Sequence, residues 1–305
     1  GSINQDVSAR VHALPTAGET VLATSSLRGL GGKGANQAVA AAKAGARVRM
    51  IAAVGSDNDG RDLLAQLAAW GVAVDGVVVR EDASTGAAFI TVDGSGENII
   101  VVDGGANGLV DPSTVRAGLG ASVVPDVVLC QGEVPAASIA EAAAFASETG
   151  ARFVLNLAPV VDVTARTLAL ADPLVVNEGE ARDLVAALSL RVTEGAAVND
   201  LARMLADEVA RSVVITLGAR GAVVAEAGAP VFRQPAFPSV ARDTTGAGDS
   251  FVGVAAAALA AGASLAEAAR RGAAAAALSV QREGAASSYA TEHAIALLLD
   301  AAQIS

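Results

Sequence analysis

One short stretch combines small residues, a carboxylate and the start of an apolar helix: Asp243-Thr244-Thr245-Gly246-Ala247-Gly248-Asp249-Ser250-Phe251. Gly246 and Gly248 allow the backbone to approach a bound group closely, and a helix start attracts anions through its unpaired N–H groups. A carboxylate there would repel phosphate, so Asp249 is explained if it accepts a proton from a hydroxyl that attacks the phosphate. Alternatively, Asp249 is favoured by the helix dipole and the glycines only form a turn. The stretch alone favours neither interpretation.

A second glycine-rich stretch, residues 29–37, opens another predicted helix. It matches the G-x-G-x-x-G pattern of dinucleotide-binding proteins, but residues 50–54, where that pattern needs an acidic residue, hold no carboxylate. It also fails the P-loop pattern, because Gly34 follows Lys33 where Ser or Thr is required. What remains is a helix start with Lys33 and Asn36, which could bind hydroxyls or serve only as a solvated cap.

Polar residues also follow several predicted strands. Because ligands of open α/β sheets bind beyond the carboxyl ends of strands, such residues can converge on one site. Asn4 and Asp6 could hold the hydroxyls of a sugar, although an ordinary loop carboxylate explains Asp6 about as well. The other polar or glycine-rich strand ends are Gln131-Gly132-Glu133, Asn177-Glu178-Gly179-Glu180 and Thr216-Leu217-Gly218-Ala219-Arg220-Gly221.

The order of predicted elements indicates an α/β fold. From about Pro125 strands and helices alternate, which predicts a mostly parallel sheet covered by helices on both faces. Residues 1–6 are expected to end a strand, and short strand patterns follow up to residue 102, with a hairpin turn at Gly94-Ser95-Gly96. We expect a single domain over residues 1–305, with a small β lid drawn from about residues 11–25 and 75–103.

The composition argues against several classes of protein. Hydrophobic residues make up 52% and charged residues 17% of the chain, which predicts a large core rather than disorder. The formal net charge of −11 argues against a nucleic-acid partner, and the apolar runs are too alanine-rich and charge-bounded for a membrane span. The single cysteine, Cys130, predicts a buried thiol and a reducing, cytoplasmic setting. With only two histidines, a zinc site or a histidine-dependent triad is not expected.

Taken together, these motifs resemble the ribokinase-like sugar kinases (phosphofructokinase-B type), and the resemblance extends from Gly1 to about Ser288. The motifs that carry it are Gly1-Ser2-Ile3-Asn4 with Asp6, Gly18-Glu19-Thr20, Gly32-Lys33-Gly34-Ala35-Asn36-Gln37, Gly104-Gly105-Ala106-Asn107 and Asp243-Thr244-Thr245-Gly246-Ala247-Gly248-Asp249. The resemblance implies a three-layer α/β/α sandwich with a mostly parallel sheet and a small β-sheet lid that often mediates a homodimer. It also implies ATP-dependent phosphorylation of the primary O5 hydroxyl of D-ribose, giving D-ribose 5-phosphate and ADP.

The resemblance gives each motif a role. Asp249 would deprotonate the hydroxyl, and Gly246, Ala247 and Gly248 would form an anion hole for the transferring phosphoryl group. The residues that would bind the sugar are Asn4, Asp6, Gly32, Lys33, Gly34, Ala35, Asn36, Glu133 and Asp249. Those that would bind ATP are Asn177, Glu180, Thr216, Leu217, Gly218, Ala219, Arg220, Gly221 and Gly248, with Asn177 and Glu180 organising Mg²⁺ through water. An activating K⁺ would be held, mostly through backbone carbonyls, by Asp243, Thr245, Ser279, Arg282, Gly284 and Ser288.

The chain departs from the usual sequence of that family at Gly132, Leu157, Gly179, Ala273 and Ser287. These departures concern the adenine contacts and the shape of the sugar pocket rather than phosphoryl transfer. The alternative substrates are a related pentose such as 2-deoxyribose or a nucleoside of the adenosine type, and the aromatic content of 3% favours a bare sugar. A catalytically silent sugar sensor is the alternative from another class, and the retained carboxylate and glycine cradle of residues 246–249 argue against it.

Overall fold

The computed structural model describes residues 1–121, 123–192 and 195–304. The strands are β1 (Asn4–Arg10), β2 (Ser25–Gly31), β3 (Val48–Gly55), β4 (Val72–Arg80), β5 (Gly86–Val92), β6 (Asn98–Asp103), β7 (Val127–Gln131), β8 (Arg152–Asn156), β9 (Leu174–Asn177), β10 (Ser212–Thr216), β11 (Ala222–Glu226) and β12 (Phe232–Gln234). The helices are α1 (Lys33–Lys43), α2 (Asn58–Ala69), α3 (Pro112–Gly120), α4 (Ala136–Thr149), α5 (Ala165–Leu168), α6 (Glu178–Ala187), α7 (Val198–Glu208), α8 (Ala247–Ala260), α9 (Leu265–Ser279) and α10 (Glu292–Ile304). Within these described ranges, no helix combines the length and the apolar character that a membrane crossing requires.

The larger part of the core is a six-stranded sheet in the order β12-β11-β10-β9-β8-β7. Strands β7 to β10 are parallel, and β11 and β12 are antiparallel additions at one edge. In β10, Val213 and Ile215 pack in the hydrophobic cluster that includes α4 and α7, whereas Val214 packs in the cluster that includes α1, α8 and α9. Because successive strand residues point to opposite faces, helices cover both faces of this sheet. The predicted three-layer α/β/α sandwich is confirmed.

Strands β3 and β4 lie outside the six-stranded sheet and border a cavity. Strands β3 and β4 form a separate parallel pair, so that β3 and β7 are end strands of two different sheets. Both strands border a cavity of about 710 Å³, which α1 and α8 line on one side and α3 and α4 on the other. The backbone nitrogen of Gly1, which lies at this cavity, donates a hydrogen bond to the carbonyl oxygen of Ile51, at 2.8 Å.

The lid is a four-stranded sheet in the order β2-β1-β5-β6. Strand β1 is antiparallel to β2 and parallel to β5, and β5 and β6 form the hairpin predicted at Gly94-Ser95-Gly96. In the chain, β2 leads directly into α1. The lid therefore carries side chains of β1 and β2 to the start of α1.

Two of the four lid strands, β5 and β6, lie within the predicted range 75–103, but β1 lies outside the predicted range 11–25 and β2 shares only Ser25 with it. Residues 11–24 contain no strand, because Pro15 and the left-handed Gly18 (φ 86°) favour a loop there. Residues 75–80 belong to β4, which pairs with β3 in the core rather than with the lid. Asn4, expected near the end of a strand, is the first residue of the lid strand β1.

Candidate active site

The two glycine-rich stretches meet where α1 and α8 begin. Asn36, on the first turn of α1, donates Nδ2 to Oδ2 of Asp249 on the first turn of α8, at 3.1 Å. The helices approach this closely because Gly253 has no side chain, and a Cβ there would overlap the carbonyl oxygen of Gln37. The structure thus brings together two motifs that lie more than 200 residues apart in the sequence.

Helix α8 begins at Gly246, whose φ of 71° lies in the left-handed region. The amide of Ala247 donates to the carbonyl of Thr244 at 3.2 Å, and that of Ser250 donates to the carbonyl of Gly246 at 2.8 Å. The amides of Gly246 and Gly248 have no acceptor among the described residues. Two of the three predicted anion-hole amides are therefore available to an anion, while the third is engaged within the turn.

Asp249 is buried at this helix start, with 9% of its surface exposed. Burial raises the pKa of its carboxyl group, and the neighbouring charge of Lys33 and hydrogen bonds from Gln37 and Asn36 oppose that rise without cancelling it. A raised carboxyl pKa, next to a free anion-binding helix start, suits a general base for a hydroxyl.

Asn36 offers a second polar atom at the same place. Its side-chain oxygen is buried and has no hydrogen-bond partner among the described residues. Leaving such an acceptor unpaired costs about 1–3 kcal/mol, so a donor from a bound molecule would be accepted favourably. A substrate hydroxyl next to Asp249 would supply that donor.

Asp6 and Glu133 surround Lys33 on the sugar side of the predicted site. Burial raises the pKa of Asp6 to about 7, the charges of Glu133 and Asp249 raise it further, and the charge of Lys33 lowers it. Asp6 packs across β2 because Gly31 has no side chain, and a Cβ there would overlap the carboxylate. The structure therefore places three carboxyl groups, those of Asp6, Glu133 and Asp249, and the ammonium group of Lys33 within electrostatic reach of one another.

Glu133 also caps α1. Its Oε2 accepts hydrogen bonds from the backbone N–H of Lys33 at 2.9 Å and from the hydroxyl of Ser2 at 2.6 Å. The amide of Gly34 donates to the Ser2 hydroxyl at 3.1 Å, and that of Ala35 donates to the Ser2 carbonyl at 2.8 Å. The amides of Gly34 and Ala35, two residues predicted to bind the sugar, are therefore engaged by Ser2, which the sequence analysis used only as part of a motif.

Asn4 is oriented by a residue that the sequence interpretation used only as part of a motif. Asn107, buried in the core, donates Nδ2 to Oδ1 of Asn4 at 2.7 Å and accepts from the backbone N–H of Ile3 at 2.9 Å. Gly86 leaves room for this pair, since a Cβ there would overlap both amide side chains. The signal that could have identified Asn107 was its position in Gly104-Gly105-Ala106-Asn107.

On the predicted nucleotide side, Asn177 and Glu180 form a capping box at the start of α6. Oδ1 of Asn177 accepts from the Glu180 amide at 2.8 Å, and Oε2 of Glu180 accepts from the Asn177 amide at 2.7 Å. Burial raises the pKa of Glu180, whereas the hydrogen bond from Asn177 and the charge of Lys33 lower it. Lys33 therefore lies close enough to act electrostatically on both sides of the site.

The predicted nucleotide loop follows β10 and lies beside the start of α6. Arg220 forms an ion pair with Glu178, the first residue of α6. Gly221 has a φ of 88°, and a Cβ there would overlap the carbonyl of Gln234. Thr216 is half-buried, Gly218 and Ala219 are exposed, and Leu217 is buried in the core. Leu217 could therefore contact a nucleotide only through its backbone.

Apart from Ser279, which ends α9, the predicted K⁺ residues lie on two loops that Asp243 joins. Its Oδ1 accepts from the amide and hydroxyl of Thr245 at 2.9 and 2.7 Å, and its Oδ2 accepts from the amide of Gly284 at 2.8 Å. Burial raises the pKa of Asp243, but these hydrogen bonds lower it by more, so the carboxylate stays ionised. The Ser279 hydroxyl donates within its own helix and the Ser288 hydroxyl within its own turn. The donor set consists of oxygens, which fits a hard monovalent cation.

No group of three or more His, Cys, Asp or Glu side chains among the described residues could hold a metal ion by itself. Mg²⁺ commonly binds through one or two carboxylates together with phosphates and water. The half-buried Glu180 therefore fits Mg²⁺ that arrives with a nucleotide.

The structure explains one departure from the usual sequence. A Cβ added to Gly132 would overlap the carbonyl oxygen of Pro159, so a larger residue does not fit between Gln131 and Glu133 here. Ala273, another departure, is buried in α9.

Comparison with known proteins identifies the family. The sequence matches the family described as pfkB family carbohydrate kinase over residues 1–292. It is 38% identical over 291 residues to the ribokinase of Haemophilus influenzae, covering 95% of this chain and 94% of that protein. It is 37% identical over 254 residues to the bifunctional ribokinase/ribose-5-phosphate isomerase A of Fructilactobacillus sanfranciscensis, covering 83% of this chain. The chain spans about half the length of that bifunctional relative, 46%.

A solved structure agrees with these matches. The Arabidopsis thaliana ribokinase, solved in complex with ribose and ATP, superposes with a TM-score of 0.86 and 29% identity, covering 98% of this chain and 96% of that one. The fold, the family match over residues 1–292 and the identity to relatives are consistent with one another. This chain therefore belongs to the pfkB family of carbohydrate kinases.

Proposed function

We propose that this protein is a ribokinase that transfers the γ-phosphoryl group of ATP to the O5 hydroxyl of D-ribose, giving D-ribose 5-phosphate and ADP. One observation carries the proposal: a buried carboxylate, Asp249, lies on the first turn of α8, directly after two free amides at Gly246 and Gly248. This reaction needs a base that deprotonates the hydroxyl, and beside it amides that bind the phosphoryl group.

The sugar lies in the polar pocket between the lid and α1. Asp6 and Asn4 face it from β1, and Lys33 and Asn36 face it from α1. Carboxylates and amides accept and donate the hydrogen bonds that sugar hydroxyls require, and Asn36, whose amide nitrogen contacts the base, has a side-chain oxygen free to accept one. Glu133 contributes its second carboxylate oxygen, since Oε2 is engaged at the start of α1.

During the reaction, Asp249 accepts the proton of the O5 hydroxyl while O5 forms a bond to the γ-phosphorus. The bond between that phosphorus and the β–γ bridging oxygen breaks, and ADP leaves with the bond electrons. The amides of Gly246 and Gly248 and the positive end of α8 stabilise the negative charge on the transferring group. The transfer needs alignment more than covalent help, so rigid helix starts suit it.

ATP lies beyond the carboxyl ends of β9 and β10. The loop from Thr216 to Gly221 holds the nucleotide, and Asn177 and Glu180 organise Mg²⁺, which neutralises phosphate charge when bound. The loops that Asp243 joins would hold K⁺, which would stabilise the turn that precedes α8. The oxygen donors predicted at the two sites suit hard cations such as Mg²⁺ and K⁺.

The proposed assembly is a homodimer through the lid. Phe89 of β5 pairs with Val101 of β6, and both side chains point to the face opposite Asp6, because Phe89 pairs with Val7 of β1 and not with its neighbour Asp6. Phe89, Ile99 and Val101 are 51%, 47% and 60% exposed. An apolar patch on a sheet face commonly marks a protein–protein contact.

The proposed location is the cytoplasm, where ATP is available and the free, buried thiol of Cys130 stays reduced. The proposed partners are a sugar and a nucleotide, together with a second copy of the chain. The net charge of −11 does not favour nucleic acid or an acidic membrane surface. The kinase is proposed to be a single domain.

Release of ADP over a panel of acceptors tests the proposal. D-ribose, 2-deoxy-D-ribose, D-fructose and adenosine are compared at equal concentrations, each with and without K⁺. D-ribose should give the highest kcat/KM, and the product should match ribose 5-phosphate by phosphorus NMR. A preference for 2-deoxyribose or adenosine would show that this compound, and not D-ribose, is the substrate. Binding of ribose without any ADP release would favour a sugar sensor. Turnover that is independent of K⁺ would refute the cation site.

A further inference from the structure

The base of the proposed reaction is held by a buried amide that has no role in sugar recognition. Nε2 of Gln37 donates to Oδ1 of Asp249 at 2.8 Å. Asn36, the preceding residue, donates to the other oxygen, Oδ2, at 3.1 Å. Gln37 is 0% exposed, so it lies behind the carboxylate rather than in the pocket.

The hydrogen-bonding capacity of Gln37 is used within the protein. Its Nε2 donates both to Asp249 and to Oδ1 of Asn156, at 2.8 Å each. Its Oε1 accepts from Nε2 of Gln131 at 2.7 Å. An amide side chain has two N–H donors, so none is left for a substrate.

The same partners fix which way the Gln37 amide faces. Asn156 donates its own Nδ2 to the carbonyl of Val175 at 3.0 Å, so its Oδ1 must be the atom that meets Gln37. Gln131 presents a donor to the opposite end of the amide. A flipped Gln37 would place its oxygen against a carboxylate and another amide oxygen, which the network excludes.

We propose that Gln37 is a positioning residue for phosphoryl transfer: it fixes Oδ1 of Asp249 from behind and leaves Oδ2, beside Asn36, to accept the proton of the attacking hydroxyl. The chain Gln131–Gln37–Asp249 connects the ends of β7, α1 and α8, so the orientation of the base depends on the core of the fold. This inference rests on the proposed kinase activity.

Gln37 also opposes the rise in the pKa of Asp249. Burial raises the pKa of Asp249, and the charge of Lys33 and the hydrogen bonds from Gln37 and Asn36 lower it. The other charged or titratable groups that act on this site are Glu133, Asp6 and Tyr289. Removing the Gln37 donor takes away one of the interactions that lower the pKa of Asp249. The acidic limb of the profile of rate against pH should therefore move to higher pH.

The test compares the pH dependence of kcat in wild type and Gln37→Met, a variant of similar length without donors. We expect kcat at pH 7 to fall by about tenfold or more, and the acidic limb to move up by about one to two pH units, the usual worth of a hydrogen bond to a charged group. The KM for ribose should stay within about threefold, because Gln37 does not face the sugar.

Two further variants separate positioning from folding. Ser138→Ala removes another buried hydrogen bond, from the Ser138 hydroxyl to the carbonyl of Val110, outside the site. It should lower the thermal midpoint without moving the acidic limb. If Gln37→Met does not fold, Gln37→Glu keeps the acceptor for Gln131 and replaces the donor with a like charge, which should move the limb in the same direction.

The outcomes distinguish the two proposals. If wild type releases no ADP with any sugar, the proposed function fails. If wild type phosphorylates ribose while the folded Gln37 variant keeps the wild-type kcat and acidic limb, only the positioning role fails. A rise in KM alone would also overturn the positioning role, because it would place Gln37 in sugar recognition.

Discussion

Replacing Asp6 with Asn should change how the stability of the protein depends on pH. Burial raises the pKa of Asp6 from 3.8 to about 7, with the charges of Glu133 and Asp249 adding to the rise and Lys33 opposing it. The folded protein therefore binds one more proton than the unfolded chain between these two values. The destabilising effect of Asp6 is absent below pH 3.8, grows as pH rises and is complete above about pH 7.

The magnitude follows from the size of the shift. One pKa unit corresponds to about 1.4 kcal/mol, so a rise of roughly three units destabilises the folded state by at most about 4 kcal/mol above pH 7. Part of the pH range between the two pKa values lies below pH 5. The contribution of Asp6 to the free energy of unfolding should therefore change by about 2–3 kcal/mol between pH 5 and pH 8. Asn at position 6 has the same shape but no proton to lose, so its variant should lack this change.

Urea unfolding of wild type and Asp6→Asn at intervals from pH 5 to pH 8 measures the difference directly. The difference between the two curves reports the titration of Asp6 together with its coupling to Glu133, Asp249 and Lys33. We expect the variant to gain stability over wild type as pH rises. Parallel curves over this range would refute the assignment of a buried, charge-coupled carboxyl group to Asp6.

Three further substitutions test other parts of the site. Asp249→Asn removes the base and should lower kcat by about 10²–10⁴-fold in the ADP-release assay; near-normal turnover would contradict its role. Gly246→Ala forces a side chain into a left-handed turn against Tyr289 and should lower kcat by about tenfold or more. Gly262→Ala is the control, because Gly262 is also left-handed (φ 85°) but has open space around it, so kcat should not fall. Tyr289→Phe removes a buried hydroxyl that has no partner among the described residues, so urea unfolding should find stability unchanged or higher by about 1 kcal/mol; a clear loss would reveal a partner for that hydroxyl.

The strands and helices of the core could be predicted because their signals are local. The run Val213, Val214 and Ile215 is apolar throughout, as a strand covered on both faces requires, and it is the central strand β10. The lid was harder, because its pairing is decided by register between distant segments. Strand β1 contains Gln5, Asp6 and Arg10 and has no continuous apolar pattern, yet it pairs with strands on both sides.

In the site, too, the residues with local sequence signals could be predicted and the contacts between distant segments could not. Residue types in short motifs indicated Asp249, Lys33 and Asn36, whose chemistry is visible in the sequence. The buried network could not be predicted, because Gln37 meets Asn156 across 119 positions and Asp249 across 212. Nothing in the local sequence distinguishes a buried glutamine that orients a base from one that only fills space.

The close contact between α1 and α8 makes the geometry of the site depend on a residue that has no chemical role. Gly253 lies on α8 against the carbonyl oxygen of Gln37, and a Cβ there would overlap that oxygen. A methyl group at position 253 would therefore push the two helices apart, and Asn36 would move away from Asp249. The site can thus be lost through a substitution that leaves every functional side chain in place.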